Sequence, residues 1–152
     1  MSTRNTARVL RFETRRSGDL DKPVLIDPGT YEAVLVDWKV GYSGYFKKGT
    51  LRMRFRITEP GKFHDLVIPG WFNVEPSKSK TTVKAGWRST FLRMYQSCFN
   101  IKLDRRDRIP VSQFMSHRLS VEVWTISKDS EGQPLANVNH YSRVKRVLKI
   151  IQ

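Results

Sequence analysis

Three aromatic residues, Tyr42, Tyr45 and Phe46, stand directly before Lys47 and Lys48 in the glycine-punctuated stretch GYSGYFKKG, and arginine then recurs at Arg52, Arg54 and Arg56. Rings beside cations serve single-stranded nucleic acid. A base stacks on a ring for about 1–3 kcal/mol while a cation holds the neighbouring phosphate. Rings on a glycine-rich loop have little core to enter, so stacking is their natural use; the plain alternative is a ring folded back over the end of the domain. The arginines alternate with Leu51, Met53, Phe55 and Ile57. A strand with that pattern buries its apolar face and presents guanidinium groups about 6.5–7 Å apart on the other, close to the separation of successive phosphates. A solvated face that deters edge-to-edge pairing is the competing explanation. A merely structural row should have acidic partners across the sheet, and the neighbouring strands offer few.

Other residues extend this chemistry. Trp71 follows Pro69 and Gly70, where a bend would expose its ring, and Tyr141, Arg143 and Lys145 share one face of the last strand, again an aromatic followed by cations. Trp38 and Trp124 lie near strand ends or opposite the main apolar set, positions that permit exposure, and Trp71 is the preferred stacking residue of the three. Catalytic constellations are missing. His64, His117 and His140 fall on different elements, and no HExxH, CxxC, Walker-type or GxSxG motif occurs. Asp37, Glu59, Asp65, Glu75 and Glu122 form no spaced motif for a two-metal site. A binding protein without metal or cofactor is expected, not an enzyme.

Charge supports that expectation. Lys and Arg number 28 against 14 acidic residues, a net charge of +14 that calls for a polyanionic partner, nucleic acid before an acidic protein or an anionic membrane. The single cysteine, Cys98, excludes an internal disulfide and fits a reducing, cytoplasmic setting. No signal-peptide run and no stretch of about 18 apolar residues occurs, so a soluble protein is expected.

The elements that must position these residues follow from periodicity. Residues 1–28 read as a basic arm, with five arginines among small polar residues, and 29–152 as one domain. Strands are predicted over Thr30–Val40, over the arginine row Thr50–Glu59, over Phe63–Val74 with a kink or bulge at Pro69–Gly70, over Arg118–Ile126, and from Val138 to Ile150 with a bulge around Lys145–Val147. Between the third and fourth strands, Trp87, Phe91, Met94, Tyr95 and Cys98 recur at helical spacing, one core-facing stripe of a helix ending near Asn100. Strand, strand, strand, helix, strand, strand is the order of the five-stranded OB-fold barrel, which binds oligonucleotides on strands two and three and on the loops joining strands one to two and four to five. A β-sandwich fragment or an SH3-like barrel with an inserted helix would share that order.

The segments DPGTYEAVLVDWKV, LRMRFRITEPGKFHDLVIPGWFNV, AGWRSTFLRMYQSC and NVNHYSRVKRV, spanning about residues 28–148, resemble the small OB-fold single-stranded-DNA-binding proteins of phages and other mobile elements. The resemblance implies sequence-tolerant coating of single strands in replication or recombination, without cofactor or metal, with replication or recombination proteins and further copies of the chain as partners. The expected contacts are Tyr42, Tyr45, Phe46, Lys47, Lys48, Arg52, Arg54, Arg56, Trp71, Tyr141, Arg143 and Lys145. One departure stands out: many bacterial members end in an acidic recruiting tail, whereas this chain ends RVKRVLKIIQ, which would pack on the domain or on another subunit. Two alternatives stay open, an adaptor or inhibitor that docks on an acidic host protein or nucleoprotein complex, and an RNA-binding module.

Overall fold

The computed structural model describes residues 24–43, 48–77, 79, 81–129 and 131–151. Most of the expected basic arm, and Tyr45, Phe46 and Lys47 of the loop, lie outside the described residues. Among these residues five strands, β1 (Gly29–Ser43), β2 (Lys48–Ile57), β3 (Val67–Val74), β4 (Leu119–Ile126) and β5 (Tyr141–Ile150), form one antiparallel sheet in the order β3-β2-β1-β4-β5. Among the described residues the fold is all-β with one α-helix, α1 (Thr90–Phe99), between the third and fourth strands. β3 and β5 are the two ends of the ladder, so hydrogen bonding does not close the sheet into a barrel.

The ends nevertheless come together. β3 packs against β5, and a Cβ built on Gly70 would stand 2.9 Å from the Val144 carbonyl oxygen and 3.2 Å from its Cβ. Glycine at this position lets two backbones approach where any side chain would collide. That closeness is the reason for Gly70, and the expected kink is absent: β3 pairs with β2 in unbroken register from Val67↔Arg56 to Val74↔Gly49. Pro69 costs no ladder bond of importance on an end strand. β3 also begins later than expected, because Phe63–Leu66 form a turn in which Asp65 takes a positive φ of 71°.

The core follows the alternation in β2. Leu51, Met53, Phe55 and Ile57 are fully buried while Arg54 and Arg56 face solvent and Arg52 is half-buried. Opposite them α1 presents Phe91, Leu92, Met94 and Tyr95. Ser89 caps its N-terminus by accepting from the Leu92 amide at 3.1 Å, and Asn100 ends it at φ 51°. The cap places the helix start after Trp87, which is therefore not part of the stripe and is 50 % exposed. Met94 and Cys98 dock the helix on β5: the Val147 amide donates to Met94 Sδ at 3.1 Å, and Cys98 Sγ donates to the Val147 carbonyl at 3.5 Å. Burial pushes the Cys98 thiol up to about 11, which makes it an inert packing residue.

Two segments carry more structure than their polarity indicated. Ile109, Val111 and Phe114 are fully buried, the last two on a 3-10 helix, Val111–Ser116, in what reads as a polar connection. Phe114 meets Phe99, Tyr95 and Phe91 at centroid distances of 5.0, 5.6 and 6.4 Å. The chain also joins the fold before Gly29. Ser142 of β5 donates its amide to the Val24 carbonyl at 2.8 Å and its hydroxyl accepts from the Ile26 amide at 2.7 Å, burying Ile26.

Candidate nucleic-acid interface

The outer face of the sheet is assembled by three departures from regular pairing. On β1 the register slips between Leu35 and Asp37. Ala33 and Leu35 point into the core, so strict alternation would send Asp37 there as well; the extra residue, Val36, turns Asp37 outward and seats Trp38 against the core instead. On β5 the pairing with β4 skips Lys145 and Leu148, close to where a bulge was predicted.

Two arginines of the row have acidic partners. Asp37, directly across the ladder, receives both Nε (2.8 Å) and Nη2 of Arg54. Arg56 Nη1 reaches Asp65 Oδ1 at 3.3 Å, from the turn that precedes β3. The neighbouring strands were expected to offer few acidic partners, and two of the three arginines, Arg54 and Arg56, nevertheless have one. One acid was turned outward by a bulge and the other came from a turn, and alternation displays neither. Arg52 makes no ion pair among the described residues, and its Nε is shielded from solvent without a hydrogen-bond partner.

The hydrogen bond from Arg54 holds the Asp37 carboxyl below the usual carboxylate range, with the Arg54 and Arg52 charges adding to the effect. The folded state therefore binds this proton less tightly than the unfolded chain. The stabilisation is complete above the ordinary carboxylate range and is lost as the pH falls through the depressed value. Both side chains are more than two-fifths exposed, so solvent screening keeps the pair below about 1 kcal/mol. Asp37→Asn is expected to lower the urea midpoint slightly at neutral pH, and the difference from wild type should close in strong acid. An unchanged gap across that range would mean that the pair contributes nothing through ionisation.

The remaining candidates converge where β3 meets β5. Trp71 faces outward opposite Arg52 in the β2–β3 register and meets the Tyr141 ring edge-on, with centroids 6.2 Å apart. The Arg143 guanidinium lies 5.9 Å from the Trp71 ring and its Nη2 donates to the Trp71 carbonyl at 3.1 Å. Arg143 is in turn the register partner of Trp124 on β4. Trp124 is 45 % exposed, and Lys145 Nζ, on the bulge residue, lies 4.8 Å from its ring. Hydrogen bonding from Trp124 and Arg146 holds the Glu122 carboxyl below its ordinary range.

The result is a continuous stripe, Arg52, Trp71 with Tyr141, Arg143, Trp124 and Lys145, alternating cation and ring across four strands. Trp124 is a member of the stripe that is not among the contacts expected from the sequence. Its outward position was visible in the alternation of β4, but its neighbour Lys145 comes from a bulge. Tyr42 and Lys48 lie apart from the stripe, at the β1–β2 hairpin end, three and four ladder positions, about 10 and 13 Å, from the Arg52–Trp71 pair. Tyr42 is 60 % exposed and borders a groove of about 680 Å³ with Val40, Gly49, Pro76, Lys84 and Arg108.

Among the described residues no group of three His, Cys, Asp or Glu side chains is placed to hold a metal ion, and no helix is long and apolar enough to cross a membrane. Comparison with protein-family models, with curated proteins and with solved structures finds no match. The class defined by fold and site is therefore a five-stranded, all-β domain with an aromatic and cationic outer face, and the resemblance noted in the sequence rests on its residues alone.

Proposed function

We propose that this protein is a non-enzymatic, sequence-tolerant binder of single-stranded DNA that acts in replication or recombination. The carrying observation is the stripe at the β3–β5 seam, where Trp71 and Trp124 hold cations against their ring planes and stay within reach of solvent. Paired bases in a duplex hide their faces from such rings, whereas unpaired bases offer them, and every base has a face to offer. The net charge of +14 supplies the long-range attraction. Support for an OB-like, partly open barrel comes from the strand order and from the approach of Gly70 to Val144, which bring the ends of the sheet together.

The test is fluorescence anisotropy with labelled oligo-dT, the matching duplex and an RNA of the same length, each at two salt concentrations. Oligo-dT is expected to bind at least tenfold tighter than duplex, with affinity falling steeply as salt rises. Equal affinity for single strand and duplex would sink the stacking mechanism, and tighter binding of RNA would reassign the substrate. Replacing all three arginines of β2 at once is a poor probe, because it also strips Asp37 and Asp65 of their partners.

A further inference from the structure

The three arginines of β2 are equivalent in sequence and unequal in the folded chain. Arg54 and Arg56 spend their charge on Asp37 and Asp65. Arg52 and Arg143 do not: neither makes an ion pair among the described residues, and each has an Nε shielded from solvent with no partner. Both flank the same ring, Arg52 as the ladder partner of Trp71 and Arg143 at 5.9 Å from its centroid.

We infer that Arg52 and Arg143 together grip one phosphate of the bound strand beside Trp71, while Arg54 and Arg56 are structural. This rests on the single-strand reading above and gives it an address. An arginine in contact with an anion normally presents its planar fork of donors, and a partly desolvated fork attracts an anion more strongly than one in bulk water. Each of these two guanidiniums has an Nε shielded from water with no partner, so its fork is partly desolvated and its charge is not neutralised by an acid among the described residues. The Asp37 carboxylate is the nearest competing anion on β1 and acts on Arg52 only through space, its hydrogen bonds going to Arg54. Trp71 between the two places a base-stacking surface next to the phosphate, the pairing of contacts that a nucleotide unit presents.

A shared phosphate has a signature that independent contacts lack: the two arginines are energetically coupled. Anisotropy titrations of oligo-dT with the full chain should show Arg52→Gln and Arg143→Gln each weakening binding about tenfold, with the double variant well short of the hundredfold that independent losses would give. Arg54→Gln and Arg56→Gln should stay within about twofold of wild type. Arg143 also bonds the Trp71 carbonyl, so Arg52→Gln, which removes no hydrogen bond among the described residues, and Arg143→Lys, which keeps the charge, accompany it, with circular dichroism as the check on folding. If wild type binds oligo-dT but the losses multiply, or Arg54→Gln and Arg56→Gln cost as much as Arg52→Gln, the clamp is overturned and the single-strand reading survives. If wild type does not bind oligo-dT, the reading falls and the clamp with it.

Discussion

Gly70→Val is expected to destabilise the fold by about 3 kcal/mol, the upper end for overpacking, and to abolish single-strand binding in whatever fraction stays folded. The collision is with backbone: an added Cβ meets the Val144 carbonyl oxygen at 2.9 Å, and that oxygen belongs to a strand pinned on its other edge by β4. A flexible side chain would swing away, whereas here β3 and β5 must separate. Separation pulls Trp71 from Tyr141 and from Arg143, so the defect reaches the site although Gly70 faces the core. Urea unfolding and oligo-dT anisotropy measure the two effects. Wild-type stability would show that the strands separate at little cost, and wild-type affinity in a destabilised protein would show that the seam is not where the strand binds.

The second large effect concerns the rings themselves. Trp71→Ala and Trp124→Ala each remove one stacking surface, worth about 1–3 kcal/mol per base. The double variant should therefore bind oligo-dT about 30-fold more weakly or worse, since about 2 kcal/mol already corresponds to that factor. Its dependence on salt should change little, because the phosphate contacts remain. Trp87→Ala is the control: that indole is as exposed as Trp124 but sits before α1 and is not a member of the stripe. Loss of affinity in the control, or none in the double variant, would refute the assignment of these rings. Intrinsic tryptophan fluorescence offers an independent readout, since a base stacked on Trp71 or Trp124 should quench emission that Trp87→Ala leaves responsive.

Much of this was open to reading in one dimension. Leu51, Met53, Phe55 and Ile57 alternate with arginine, and the strand they form buries those four because period two leaves no other way to keep them from water. Phe91, Met94 and Tyr95 recur at helical spacing and face the core. Tyr141, Arg143 and Lys145 share a face because the intervening Ser142 and Val144 are buried. Other features were hidden for identifiable reasons. Trp87 fits the helical period, yet Ser89 caps the helix after it, and a capping hydrogen bond overrides periodicity at an end. Asp37 keeps step with Ala33 and Leu35 until one bulge residue reverses its side.

What the sequence determined by itself, then, was composition of faces: which residues lie in, which lie out, and that the outward set is rich in arginine and aromatic rings. Local periodicity is enough for that, since burial of apolar side chains decides it strand by strand. Which of those outward residues meet was decided only by the tertiary structure. Trp71 and Arg143 are 72 residues apart in the chain, and they touch because β3 and β5, the ends of the sheet, are drawn together at a glycine. Arg52, Arg54 and Arg56 look alike until a bulge and a turn supply carboxylates to two of them. Charge neutralisation acts over a few ångströms in space, a distance that separation along the chain does not measure, so the row of three like charges became two ion pairs and, among the described residues, one guanidinium without an ionic partner beside a tryptophan.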